Sequence, residues 1–361
     1  MKKSLLALAV LGAFAGAASA QSSVTLFGIV DVNVGQVKNQ NSAGVTTKIT
    51  REGTDGINSS RLGFRGVEDL GGGLKAGFWL EGAMSPDIGS TTTATSGTGA
   101  TVNKFFNRRS TVSLMGGFGE VRLGRDYTPT FWNLTVFDPF GTNGVGSILN
   151  VASTLGSGAS TLVRADNTAG YFLPSGIGGV YGQVQGALGE GGNNGTQANN
   201  KYAGGRVGWA GGPVDVAAAY GQTTIDNAGK DKFKTFDLGG AFSFGPAKLT
   251  AQYINSKFLA IKQTVYQLGA VVTLGQGELH AAWDHSNMSG GTAGGAFADN
   301  ADANQYAVGY VYNLSKRTAL YGTYAQVKNK NGANLTVGSQ GLGSAVGGKS
   351  QGVEAGLRHS F

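Results

Sequence analysis

Few side chains in this 361-residue chain are suited to covalent chemistry, and the histidines, only three, come first. His280 and His285 flank Asp284, and Ser286 is adjacent, so the residue types of a Ser–His–acid set or a metal pair lie close in sequence. A nucleophile needs its base within hydrogen-bond reach, and a structural metal needs several converging ligands. A spacing of five in an alternating segment sends His280 and His285 to opposite faces. His359, near the end of the last segment, reads as interfacial. Gly343 to Ser350 fits G-x-x-x-x-G-K-[ST], but that loop works only between a strand and a helix N-terminus. Here the residues that follow alternate like a strand, so the match reads as a glycine-rich loop. No catalytic residue, metal or cofactor is expected. The remaining candidates are arginines, scattered singly rather than clustered among aromatics, which argues against nucleic acid as a partner.

The arginines sit on segments of period two. Gln351 to Phe361 sets Val353, Ala355, Leu357, His359 and Phe361 against Gly352, Glu354, Gly356, Arg358 and Ser360. One apolar and one small or charged face marks a strand between unlike surroundings, and an aromatic terminus must be held by neighbours. Ser22 to Gln36 alternates too and can supply one partner, although Phe27 and Ile29 interrupt its polar face. Asn58–Leu70 and Leu74–Met84 continue the pattern, the latter with Lys75 on its polar side. Short turns alternate with long polar links. The links span 37–57, 85–103, 127–160, 189–199, 224–231, 256–262, 287–303 and 329–349. All six prolines fall in connections, as a hydrogen-bonded ladder demands. The count gives 16 strands of ~10 residues, the length of a tilted membrane-spanning strand. An even count with short turns at one end and long loops at the other predicts an antiparallel transmembrane β-barrel. Tyr171, Phe172, Trp209, Tyr310, Tyr312, Tyr321, Tyr324 and Phe361 are expected at its interfacial girdles.

Residues 1–20 read as a secretory signal: Lys2 and Lys3, the apolar run from Leu5 to Ala17, then Ala18-Ser19-Ala20. Residues 21–361 form one uniform barrel region with net charge 26 − 21 = +5. Glycine supplies 63 residues, against a typical ~7%, which disfavours helices and suits crowded sheets. There are no cysteines, so an exported chain must gain stability by closure or association rather than disulfides.

The link from Tyr127 to Ser160 is long for an unstructured loop. It carries Phe131, Trp132, Leu134, Val136, Phe137 and Phe140, which are costly to leave in water. It is expected to fold into the lumen and narrow it. Lipid-facing arginine costs ~2–4 kcal/mol, so Arg61, Arg65, Arg109, Arg122, Arg164 and Arg206 are assigned to the lumen face. By the same count Arg108 faces lipid unless a bulge intervenes. Opposite a loop bearing Asp138, with Asp126 just before it, these arginines are expected to set up a transverse field. An excess of positive charge favours anions.

The segments S-S-V-T-L-F-G-I-V-D, S-S-R-L-G-F-R-G-V-E-D-L-G-G-G-L-K-A, N-R-R-S-T-V-S-L, G-F-G-E-V-R-L-G-R-D-Y and G-L-R-H-S-F, in that order along the chain, resemble the trimeric general porins of the β-proteobacterial type. The resemblance implies a 16-stranded trimeric barrel in the bacterial outer membrane, with its third long loop folded inward as the constriction. It implies constriction arginines at Arg61, Arg108 and Arg164. Alternation prefers Arg109 where the motif prefers Arg108. It also implies a terminal aromatic, here Phe361, read by the barrel-assembly machinery. The expected function is a water-filled, weakly anion-selective channel for small polar solutes. A substrate-specific anion channel of the same fold is the alternative, and a barrel enzyme the remote one.

Overall fold

The computed structural model describes residues 23–91, 94–95, 101–102, 104–189, 200–225, 231–292, 297–338 and 344–361. The expected signal at 1–20, parts of several long links and Gly343 lie outside these residues. The chain order is β1 Ser23–Gln40, β2 Thr46–Thr54, β3 Arg61–Gly71, β4 Leu74–Ser85, β5 Arg109–Gly116 and β6 Gly119–Tyr127. Helix α1, Pro129–Phe137, lies in the next connection. Then follow β7 Arg164–Phe172, β8 Val180–Ala187, β9 Lys201–Gly211, β10 Val214–Thr224, β11 Lys232–Phe244 and β12 Ala247–Phe258. The last five are β13 Ile261–Leu274, β14 Gly277–Ser289, β15 Ala303–Asn313, β16 Thr318–Asn329 and β17 Lys349–Ser360.

Each strand pairs antiparallel with its neighbours, and β17 pairs with both β16 and β1. The ring therefore closes. β2 and β3 both lie along one edge of β1, at Val32–Gln40 and Ser23–Ile29 respectively. They form one interrupted stave, which makes the barrel 16-stranded. The Asp31 carboxylate holds that interruption by accepting from the N–H groups of Gly56, Ile57 and Asn58 at 3.3, 3.0 and 2.8 Å. The prolines all lie outside strands.

The surface is inverted relative to a water-soluble sandwich. Val353 and Leu357 of β17 are exposed at 50% and 48%, whereas Asp31, Gln267, Asp284 and Gln305 are fully enclosed. Apolar side chains face outward to lipid, and polar ones face inward. The tight turns, such as 72–73 and 275–276, share one end of the barrel with Ser23 and Phe361.

Three expectations need correction. The link placed at 256–262 is a two-residue turn, Leu259-Ala260, between β12 and β13. Its polar residues belong to a ladder, with Lys257 opposite Lys262 and Asn255 donating to Thr264 Oγ1 at 3.0 Å. The link placed at 37–57 is mostly a hairpin of β1 and β2 around 41–45. In both, strands run past the apolar band, where polar side chains suit both faces. Tyr321 and Phe172 are not girdle residues: Tyr321 points inward and bonds the Asp31 carboxylate, and Phe172 lies under the Arg122 guanidinium.

Candidate functional site

The connection from β6 to β7 lies inside the barrel. Thr128 caps α1 by accepting from Phe131 N–H, and Pro129 begins the helix, where its missing N–H leaves nothing unpaired. Phe137 and Ile148 are fully buried, and Leu134, Phe140, Val145 and Val151 pack with Ile254, Val265, Ala307 and Val327 of the wall. Full burial of one such side chain is worth about 1.5–3 kcal/mol, which holds the loop to β9–β17. Gln252 donates to Leu134 O at 3.1 Å, Gln263 to Val151 O at 2.6 Å and Gln305 to Ser147 O at 3.1 Å. Arg206 donates to Asn133 Oδ1 at 2.8 Å, so it anchors the helix. His280 does likewise, its Nδ1–H donating to Pro139 O at 2.7 Å. His285 stacks beside Trp283 on the other face.

Pressed against that side, the loop leaves the remaining lumen to β3–β7. There Arg61 reaches Glu81 at 3.3 Å, and Arg108 reaches the same carboxylate oxygen at 2.5 Å. Arg108 and Arg164 both donate to the Tyr127 hydroxyl, at 2.6 and 2.8 Å. The Arg164 guanidinium also lies 4.3 Å from the Tyr127 ring centre. Arg61, Arg108 and Arg164 thus surround one carboxylate and one phenol. The backbone N–H of Arg108 donates to Glu81 O, while Arg109 is the residue in register opposite Glu81. Neighbouring arginines therefore both serve the inner side at the strand mouth, an arrangement strict alternation excludes.

The acidic candidates sit elsewhere than expected. Asp126 is on the arginine wall, 2.6 Å from Arg122 and 3.8 Å from Arg109. Asp138 is on the loop but turned into it, accepting from Phe140, Thr142 and Ile148 N–H and from Gln267 at 2.9–3.2 Å. Burial pushes its carboxyl above the ordinary value, with the three backbone N–H groups opposing that rise. Neither acid faces the arginines across an aperture. The expected transverse field is thus replaced by wall carboxylates, Glu81 and Asp126, within the arginine array.

Toward the tight turns, Arg65 is exposed to the lumen beside Phe27 and Trp79, and Arg122 is fully engaged by Glu120 and Asp126. Lys75 lies exposed on β4 near the turn, in the parity of Trp79 and Glu81. On the long-loop side the lumen opens into a cavity of about 960 Å³, bordered by Arg51, Asp55, Asn143 and Glu354. Glu81 and Tyr127 were not singled out from the sequence. The signal for Glu81 was its inner-face parity on β4, and Tyr127 carried none beyond its place at the end of β6.

Residues 7–332 match the family model described as Gram-negative porin. The chain is 43% identical to outer membrane porin protein 32 of Delftia acidovorans, with both chains covered in full. An outer membrane porin of Bordetella pertussis is 29% identical, also with both covered in full. Among solved structures, the anion-selective porin from Comamonas acidovorans matches with a TM-score of 0.80 at 38% identity, covering 94% of this chain and 100% of that one.

Proposed function

This chain belongs to the Gram-negative porin family, and from that premise we propose a weakly anion-selective diffusion pore narrowed at Arg61, Arg108 and Arg164. The protein is a bacterial outer-membrane β-barrel. Its lumen carries small hydrophilic solutes and ions through water. The reading includes no catalytic step and no cofactor. One observation carries the selectivity: Arg61 and Arg108 share the single carboxylate of Glu81, and Arg164 has only a phenol. The local charge is therefore positive, and a positive ring favours anions. The anion selectivity of the Comamonas porin supports the same sign here. Asp126 and Asp138 are not part of the selective surface in this reading; Arg109, Arg122, Arg65 and Lys75 line the wall below it.

The assembly is a homotrimer, and Phe361 serves as the residue recognised by the barrel-assembly machinery. The test is the reversal potential of purified protein in a planar bilayer under a KCl gradient. A chloride-favouring potential, reduced in Arg61→Ala and in Arg164→Ala, and conductance steps in groups of three are expected. A potassium-favouring potential would overturn the selectivity, and mutants identical to the parent would remove the assigned arginines. Steps without threefold grouping would remove the trimer.

A further inference from the structure

Below the constriction the lumen wall holds a second cavity of about 390 Å³ among Thr25, Arg65, Trp79, Arg109, Ser113 and Arg122. Arg65 differs from the other guanidinium groups in this region. Glu81 serves Arg61 and Arg108, Asp126 serves Arg109 and Arg122, and Glu120 takes two further bonds from Arg122. Arg65 makes neither an ion pair nor a hydrogen bond with any described residue, and it is exposed. Its guanidinium carbon lies 5.2 Å from the Phe27 ring centre and 5.1 Å from that of Trp79. Trp79 is itself fixed by a 2.9 Å bond from Nε1 to Glu81 Oε2, and Arg109 lies 4.6 Å from its ring centre. Rings against a guanidinium restrict its rotamers but leave its N–H edge unspent, and that edge matches two oxygens of a carboxylate or phosphate.

We infer that Arg65, held by Phe27 and Trp79, is a docking point for small carboxylate or phosphate anions on the tight-turn side of the constriction. The inference rests on the proposed anion-selective pore and names a second station within it. Arg61 and Arg65 are four residues apart on β3, which is ~13 Å along a strand. That exceeds the ~8 Å screening length at physiological salt, so the two stations act as separate sites. Cross-strand neighbours Thr25 and Trp79, directly opposite Arg65 on β1 and β4, shape the pocket. An anion leaving the arginine ring meets Arg65 as the next unpaired cation.

The experiment measures single-channel conductance of the purified full-length protein in potassium phosphate, potassium succinate and KCl over a range of activities. In phosphate or succinate the parent is expected to saturate, and Arg65→Gln is expected to raise the half-saturating activity about tenfold, the effect of losing a charge-assisted bond. Arg65→Lys keeps the charge without the fork; it is expected to retain chloride preference but lose most of the saturation. Saturation in phosphate alone assigns the site to phosphates, and in succinate alone to carboxylates. Linear conductance in both salts, or saturation unchanged in Arg65→Gln, overturns the inference. Saturation abolished by Arg164→Ala but untouched by Arg65→Gln moves the site to the constriction and equally overturns it. Failure of the underlying pore reading looks different: no conductance at all, or a potassium-favouring reversal potential in the parent.

Discussion

The Glu81 carboxylate accepts from Arg61, Arg108 and the Trp79 indole together. Replacing it therefore changes charge and geometry at one point. Glu81→Gln keeps an acceptor for Arg108 while removing the wall's compensating charge beside the proposed constriction. The expected result is a reversal potential further toward chloride, by at least about twofold in permeability ratio, which needs only ~0.4 kcal/mol of barrier difference. An unchanged ratio would mean that permeating ions do not sense Glu81. The residue scale is also where the sequence was least sufficient. Parity separated Arg108 from Arg109, but the ladder at the strand mouth brings both to the Glu81 side. Asp138 could be found as an acid of the loop. Its orientation depends on three N–H groups from residues two, four and ten positions onward, plus Gln267. No local pattern encodes that convergence.

At the scale of elements, the inward loop depends on small wall residues beneath its large ones. A Cβ added at Gly239 would lie 2.1 Å from Phe137, and one at Gly269 would lie 2.2 Å from Pro139. Gly239→Val is therefore expected to push α1 off β11 and towards the lumen axis or out of it. Single-channel conductance should change and become noisier, while the barrel stays folded because Gly239 lies in a ladder that accepts valine. Conductance equal to the parent's would show that the Gln252, Gln263 and Gln305 bonds hold the loop without the Phe137 seat. The loop's inward course was legible beforehand, since its aromatic residues had no other dry place to go. Strand ends were less legible. Where β12 and β13 extend beyond the apolar band, Asn255, Ser256, Lys257 and Lys262 look like a loop in sequence, yet they pair in register. Alternation of polarity identifies a strand only while its two faces meet different media.

At the scale of the whole molecule, closure joins the last strand to the first through twelve register pairs, from Ile29 with Ser360 to Gln40 with Lys349. The alternating face of β17 and its aromatic end made this ring legible from sequence. What was not legible is how Phe361 is seated. Gly28 and Phe361 exchange backbone hydrogen bonds at 3.0 and 3.1 Å, and the phenyl ring covers Gly28 so closely that a Cβ there would lie 2.3 Å from it. Deleting Phe361 removes two backbone bonds, about 1–3 kcal/mol net, from a ladder that otherwise remains complete. Purified, refolded protein lacking Phe361 should therefore still run as a folded, heat-modifiable band in detergent. Gly28→Val displaces the ring but keeps the terminal residue. With Phe361 acting as an assembly signal, outer-membrane yield in cells should fall sharply on deletion and only modestly in Gly28→Val. Equal losses in the two variants would instead assign Phe361 to closure of the barrel, because both disturb the same contact while only one removes the residue that assembly would read.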